Sequence, residues 1–133
     1  MTIRLKPVLI AAAAIALGTA AASSQNRSTK DGVYTLEQAK RGAEVISRTC
    51  SRCHQTEFFK GQAVEAWVGN TVAGLYESIA RTMPEDRPGS LKPQEYADIL
   101  AYMFELNQYP PGKDELSGDT EALANIVIER RDK

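Results

Sequence analysis

Three observations in the sequence predict an all-α fold of about three main helices. Apolar residues recur at helical spacing in three stretches, Pro- and Gly-containing segments interrupt them, and the flanks of the pentapeptide Cys50-Ser51-Arg52-Cys53-His54 read as helix and loop. The first helix starts at Thr35, which with Gln38 three residues on makes a capping box. Ala39, Gly42, Ala43 and Ile46 then share a face that runs into the pentapeptide. Gly42 in the helix interior costs about 1 kcal/mol against alanine, so its missing side chain points to close approach of another helix. Residues 55–70 show no clear period and read as a loop. Thr71 caps a second helix with Val72, Leu75 and Ile79 on one face, which ends before Met83-Pro84 because proline disfavours helix in the residue before it. After a tight loop over 84–92, Pro93 suits the first position of a third helix, with Glu95 at its positive end. Tyr96, Ile99, Leu100 and Met103 form its apolar stripe, and Asn107 followed by Pro110-Pro111-Gly112 ends it.

The pentapeptide carries the chemistry. Two cysteines three residues apart with a histidine directly after the second form the pattern that attaches a c-type haem. In a turn of helix, positions i and i+3 share a face, so both sulfurs can bond to the porphyrin's two vinyl-derived carbons while His54 is carried beneath the iron. A structural zinc usually takes four ligands, and Cys50, Cys53 and His54 supply three, two of them adjacent. A thioredoxin-like redox pair is expected beside a strand-helix-strand pattern, which is missing from the flanks. The expected centre is therefore one covalently attached haem c. Phe58, Phe59 and Trp67 are placed to wall the porphyrin.

The iron's sixth position has few claimants. His54 is the single histidine, which excludes a bis-histidine site within one molecule. Met103 lies on the apolar stripe of the third helix and reads as core. Met83 sits at a helix end, held by Pro84, in a loop able to cover the distal face, and is the expected thioether ligand. The alternative is an open, five-coordinate iron. Methionine favours ferrous iron and raises the potential.

A chain of 133 residues has room for one domain. Arg4 and Lys6, an apolar run from Pro7 to Leu17 and small residues from Gly18 to Ala22 read as a secretory signal over residues 1–22, the run being short for a membrane span, which takes about 20 residues. An uncleaved anchor is the alternative. Residues 23–33 are polar and small and read as a flexible leader with no role in the core. The domain is expected over 34–116, and 117–133 as a charged tail with Ile126, Val127 and Ile128 its only apolar cluster. Removing the signal takes away two of the sixteen basic and none of the seventeen acidic residues, leaving a net charge of −3. That balance implies no strong binding to nucleic acid or to anionic membranes.

From about Tyr34 to Leu116 the chain resembles a class I cytochrome c, and within that class the small bacterial cytochromes and cytochrome domains that serve periplasmic alcohol or quinoprotein dehydrogenases. The resemblance is carried by Cys50-Ser51-Arg52-Cys53-His54, Trp67-Val68-Gly69-Asn70-Thr71, Thr82-Met83-Pro84, Pro88-Gly89-Ser90-Leu91, Tyr96-Ala97-Asp98-Ile99-Leu100-Ala101-Tyr102 and Asn107-Gln108-Tyr109-Pro110. It implies a class I cytochrome c-like fold, with Cys50 and Cys53 as thioether anchors, His54 as proximal ligand and Met83 as distal ligand. Gly42 and Tyr102 match the place where the first and last helices cross in that fold. Periplasmic location follows, since c-type haem is attached outside the bacterial cytoplasm in such families. So does a redox role without substrate chemistry: an electron carrier between a dehydrogenase or respiratory complex and an oxidase or cytochrome acceptor. Two further readings are a cytochrome subunit bound stably to a quinoprotein-type dehydrogenase, and a haem-based gas sensor or peroxidase. Met83 lies only 29 positions after His54, and none of the residues between them is proline. In relatives, a Gly/Pro/Leu-containing loop in that interval supplies a carbonyl to the proximal histidine's second N–H. That partner has to come from elsewhere in this chain.

Overall fold

The computed structural model describes residues 26–131. The elements in order are β1 (Arg27–Ser28), α1 (Leu36–Thr49), α2 (Gln62–Glu65), α3 (Val72–Thr82), α4 (Pro93–Leu106), α5 (Thr120–Ala124) and β2 (Ile126–Val127), with 3-10 turns at Thr29–Asp31 and Thr56–Phe59. The three long helices are α1, α3 and α4, each starting at its expected cap. Thr35 Oγ1 accepts the Gln38 N–H at 3.1 Å and Thr71 Oγ1 accepts the Gly74 N–H at 3.2 Å. Pro93 opens α4, and the Glu95 carboxylate accepts the Lys92 N–H at 2.9 Å. The stretch read as a loop over 55–70 contains one 3-10 turn and the four-residue α2, both too short to show a period.

The α1–α4 crossing holds the domain together. A Cβ added to Gly42 would overlap the Asp98 carbonyl and come within 2.9 Å of Tyr102 Cβ, so α4 lies directly against the bare backbone of α1. Beside this contact sits a buried polar knot. Gln38 does not return to cap Thr35, which corrects the expected capping box. Its fully buried amide instead donates to Asp98 Oδ1 at 3.1 Å and to the Leu116 carbonyl at 2.9 Å, and accepts the Leu116 N–H at 2.8 Å. Arg41 adds two bonds to the Asp98 carboxylate and reaches Glu115 at 2.7 Å. The knot ties α1, α4 and the segment after α4, and no buried side-chain polar atom among the described residues lacks a partner.

Both ends of the described chain join the core. The expected signal, residues 1–22, lies outside the described residues. Of the expected flexible leader, residues 26–33 are structured, which corrects that reading. Ser28, Thr29 and Val33 are buried, and β1 pairs in parallel with β2, Arg27 opposite Ile126 and Ser28 opposite Val127. Composition misled because the hydroxyls are spent on partners that leave no pattern: Ser28 caps the 3-10 turn reciprocally with Asp31, and Thr29 Oγ1 accepts the N–H of Glu129, a hundred residues on, at 3.1 Å. The charged tail docks through Leu123, Ile126 and Ile128. Its backbone then clamps the entry to α3, with Ile128 accepting from Gly69 N–H at 2.8 Å and donating to the Asn70 carbonyl at 2.9 Å.

Two predictions follow from this packing. Gly42→Ala gains helix propensity of about 1 kcal/mol but forces α1 and α4 apart, and overpacking of this kind typically costs about 1–3 kcal/mol. A lower denaturant midpoint is expected; an unchanged or higher one would refute the close crossing. Tyr34, fully buried, donates its hydroxyl to the Tyr109 carbonyl at 2.7 Å, and burial, with the Glu105 charge adding, pushes its pKa up to about 12. The unfolded phenol ionises near pH 10. The folded state therefore binds more protons between pH 10 and 12, and the stabilisation, complete below pH 10, falls across that window at up to about 1.4 kcal/mol per pH unit. Tyr34→Phe should flatten that alkaline slope in chemical denaturation; an unaltered slope would place the titration elsewhere.

Candidate cofactor site

The cysteine turn grows directly from the C-terminus of α1. Cys50 N–H still bonds to the Ile46 carbonyl at 2.8 Å, after which Cys53 and His54 N–H both bond to the Cys50 carbonyl, at 3.0 and 2.9 Å. These bonds close a tight turn just beyond the helix end, which brings the two thiols and the imidazole together. All three line a single cavity of about 890 Å³, within the range of small-molecule and cofactor sites. Cys50 is half-buried and Cys53 exposed. Burial, with Cys53 adding, pushes the Cys50 thiol up, and its place at the negative end of α1 acts in the same direction. Reactive dithiols need the opposite shift. No group of three or more His, Cys, Asp or Glu side chains suited to a metal ion occurs among the described residues.

The remaining walls are apolar. Leu75 and Ile79 of α3, Ile99 of α4, and the aromatic rings of Phe58, Phe59 and Trp67 all line the cavity, as expected of the aromatic residues. Met83 and Met103 line it too. Met83 is the C-terminal cap of α3, its N–H bonded to the Ile79 carbonyl at 2.8 Å, and is half-buried. Met103, 3% exposed, belongs to the core as read and also presents to the cavity. An apolar slot carrying two thiols and an imidazole at one wall and thioethers among its lining suits a flat, largely apolar macrocycle with a soft-ligand metal. The residues present fit a haem.

Two residues that the sequence reading assigned to shape alone turn out to hold the site. Tyr96, read as part of an apolar stripe, donates its hydroxyl to the Met83 carbonyl at 2.8 Å and ties the loop after α3 to α4. The signal was its being tyrosine, since a buried phenol needs a partner. Asn107, read as a helix stop, is buried and accepts the Gly61 N–H at 2.7 Å while donating to the carbonyls of Phe59 at 2.9 Å and Met103 at 2.7 Å. It fixes the short turn carrying Phe58 and Phe59. The His54 ring is stacked on Phe58 and meets Phe59 edge-on; neither of its nitrogens has a hydrogen bond among the described residues.

A family model described as "Cytochrome C oxidase, cbb3-type, subunit III" matches residues 37–103, a span that includes the cysteine turn, Met83, Met103 and the cavity wall. The chain belongs to this family. It is a class I c-type cytochrome, all-α, with covalently bound haem c and an electron-transfer role. No curated protein and no solved structure matches the chain significantly. No helix among the described residues of this cytochrome is long and apolar enough to cross a membrane. Within the cytochrome, Asn107→Ala strands the Gly61 N–H and the Phe59 carbonyl, the Met103 carbonyl keeping the backbone N–H of residue 107, and an unsatisfied buried group costs about 1–3 kcal/mol. A loss of stability in that range is expected in denaturant titration, with faster amide exchange confined to residues 57–63; exchange loosened instead along α4 would show that Asn107 serves only its own helix.

Proposed function

We propose that the protein carries single electrons at one haem held by thioether bonds to Cys50 and Cys53, with His54 as proximal and Met83 as distal iron ligand, in the periplasm after removal of residues 1–22. One observation carries the reading: the two thiols, the imidazole and the Met83 side chain line one apolar cavity. The haem supplies an iron that cycles between ferric and ferrous, and the chain supplies the rest. Cys50 and Cys53 fix the macrocycle, His54 reaches the iron from the same turn, and Tyr96 holds the Met83 backbone so that ligand geometry changes little with redox state. Met83 is preferred to Met103 because it caps a helix beside a loop tied down at one carbonyl, whereas Met103 is committed to core packing in the middle of α4. The donor is a dehydrogenase or respiratory complex, and the acceptor an oxidase or another cytochrome. Encounters are brief, across a small interface.

A second reading is favoured by the family's description as an oxidase subunit: permanent residence in a larger redox complex. Co-purification with a large partner through high salt supports that reading, and a freely diffusing monomer supports the carrier.

The deciding measurement is the far-red absorption of the ferric protein, where a methionine sulfur on iron gives a weak charge-transfer band. Met83→Ala should abolish the band, lower the potential and let ferrous iron bind carbon monoxide rapidly, while Met103→Leu should keep the band. The reverse pattern would exchange their roles. With Cys50→Ser and Cys53→Ser combined, haem should be lost on a denaturing gel, and its retention there would refute the thioether assignment.

A further inference from the structure

We infer that Phe58 is the positioning residue for His54, setting the rotation of the imidazole by ring stacking where a carbonyl hydrogen bond would otherwise set it. The inference rests on the proposed proximal role of His54. The His54 and Phe58 rings are 4.4 Å apart between centroids and only 22° from parallel. Phe59 meets the same imidazole edge-on at 5.9 Å and 72°, and the two phenylalanines meet each other at 5.4 Å and 88°. The imidazole thus has one face on Phe58 and an edge contact to Phe59, which defines its rotation from two directions.

The surroundings favour an orienting role over a packing one. Phe58 lies outside the buried core, and its open surface contributes to the cavity lining. What it does cover is the imidazole. Its position is nonetheless defined, because its N–H bonds to the Gln55 carbonyl at 3.0 Å and the following residue, Phe59, is buried and held by Asn107. Neither nitrogen of His54 is hydrogen-bonded among the described residues, and the interval between His54 and Met83 contains no proline-bearing loop to bring a carbonyl in. A stacked aromatic pair and a hydrogen bond stabilise a ring to a similar degree, so the substitution is energetically sufficient. It differs chemically. A carbonyl on the second N–H raises the ligand's basicity, whereas a stacked ring orients the imidazole without drawing on that proton.

The test uses the haem-loaded full chain and the proton NMR spectrum of its ferric form, in which the order and spread of the four haem methyl shifts report the orientation of the axial ligand planes. Phe58→Leu keeps apolar volume without a ring, Phe58→Ala removes both, and Phe58→Tyr keeps the ring. The inference expects a changed order or spread of methyl shifts in the first two and the parent pattern in the tyrosine variant, with covalent haem and the far-red band retained in all three. Parent-like shifts in Phe58→Leu overturn it, and a lower melting temperature with no change in shifts assigns Phe58 to packing alone. Should Phe58→Ala fold poorly, the leucine and tyrosine variants decide between these outcomes. Failure of the underlying ligand assignment is distinguishable, because His54→Ala would then leave the haem absorption spectrum and methyl shifts as they are in the parent, and the inference would fall with it.

Discussion

The bare backbone of α1 at Gly42, set directly against the Asp98 carbonyl and Tyr102 of α4, is the contact on which the rest of the structure depends. Eight residues beyond Gly42, α1 ends in the cysteine turn. On the other side of the crossing, α4 contributes Tyr96, Ile99 and Met103 to the opposite wall and ends at Asn107. The separation of the two helices therefore sets the distance between the thiols and the wall that faces them. A side chain at 42 would displace a whole wall of the site as a body, because interiors are packed too densely to absorb the change locally. The Gln38–Arg41–Asp98 knot beside the crossing works in the same sense, fixing axial register where the glycine fixes separation. Asp98 is buried and held by Arg41 and Gln38 together, so losing either partner leaves a buried charge short of compensation, which is far costlier than losing an exposed pair.

What the sequence revealed and what it hid divide along the range of the interactions. Caps at Thr35, Thr71 and Pro93 are local, and the stripes of α1, α3 and α4 obey a 3.6-residue period, so the three long helices could be read directly. Gln38 looked like the second half of a capping box because its true partners, Asp98 and Leu116, are 60 and 78 residues away. The segment from Asn26 to Val33 looked like a leader for the same reason. Its polar residues bond to themselves and to a tail a hundred residues on, leaving no periodic trace. Leu123 and the alternation of Ile126 and Ile128 held the only hint that the tail docks, and a two-residue parallel pairing is too short to announce itself.

The site divides in the same way. Cys50, Cys53 and His54 were legible because their spacing within one turn is the chemistry. The wall opposite was legible only as a list of apolar residues, since which of them face the cavity depends on the crossing. Tyr96 and Asn107 act on backbone carbonyls of Met83, Phe59 and Met103, and a carbonyl leaves no mark in a sequence. Phe58 and Phe59 were recognised as wall material, but their relation to the His54 ring follows from a 3-10 turn that has no period.

The cavity sets two influences on the redox centre against each other. Its deep walls, built from α3 and α4, are apolar, and the proposed Met83 ligation favours the reduced iron. Its rim is wetter: Cys53 and Phe58 are exposed, and the Arg52–Asp86 pair that spans from the cysteine turn to the loop after Met83 is exposed on both sides at 3.7 Å. An ion pair of that kind is worth at most about 1 kcal/mol and is screened by salt, so it closes the rim only loosely. With the proposed ligation, His54 and Met83 are half-buried between the apolar walls and the rim, and Cys53 lies at the rim. The apolar walls then govern how strongly the iron holds an electron, and the rim governs how readily that electron leaves. A change at Phe58, which touches the imidazole and also lines the cavity, acts close to the cysteine turn, whereas a change at Tyr96 acts through the Met83 carbonyl.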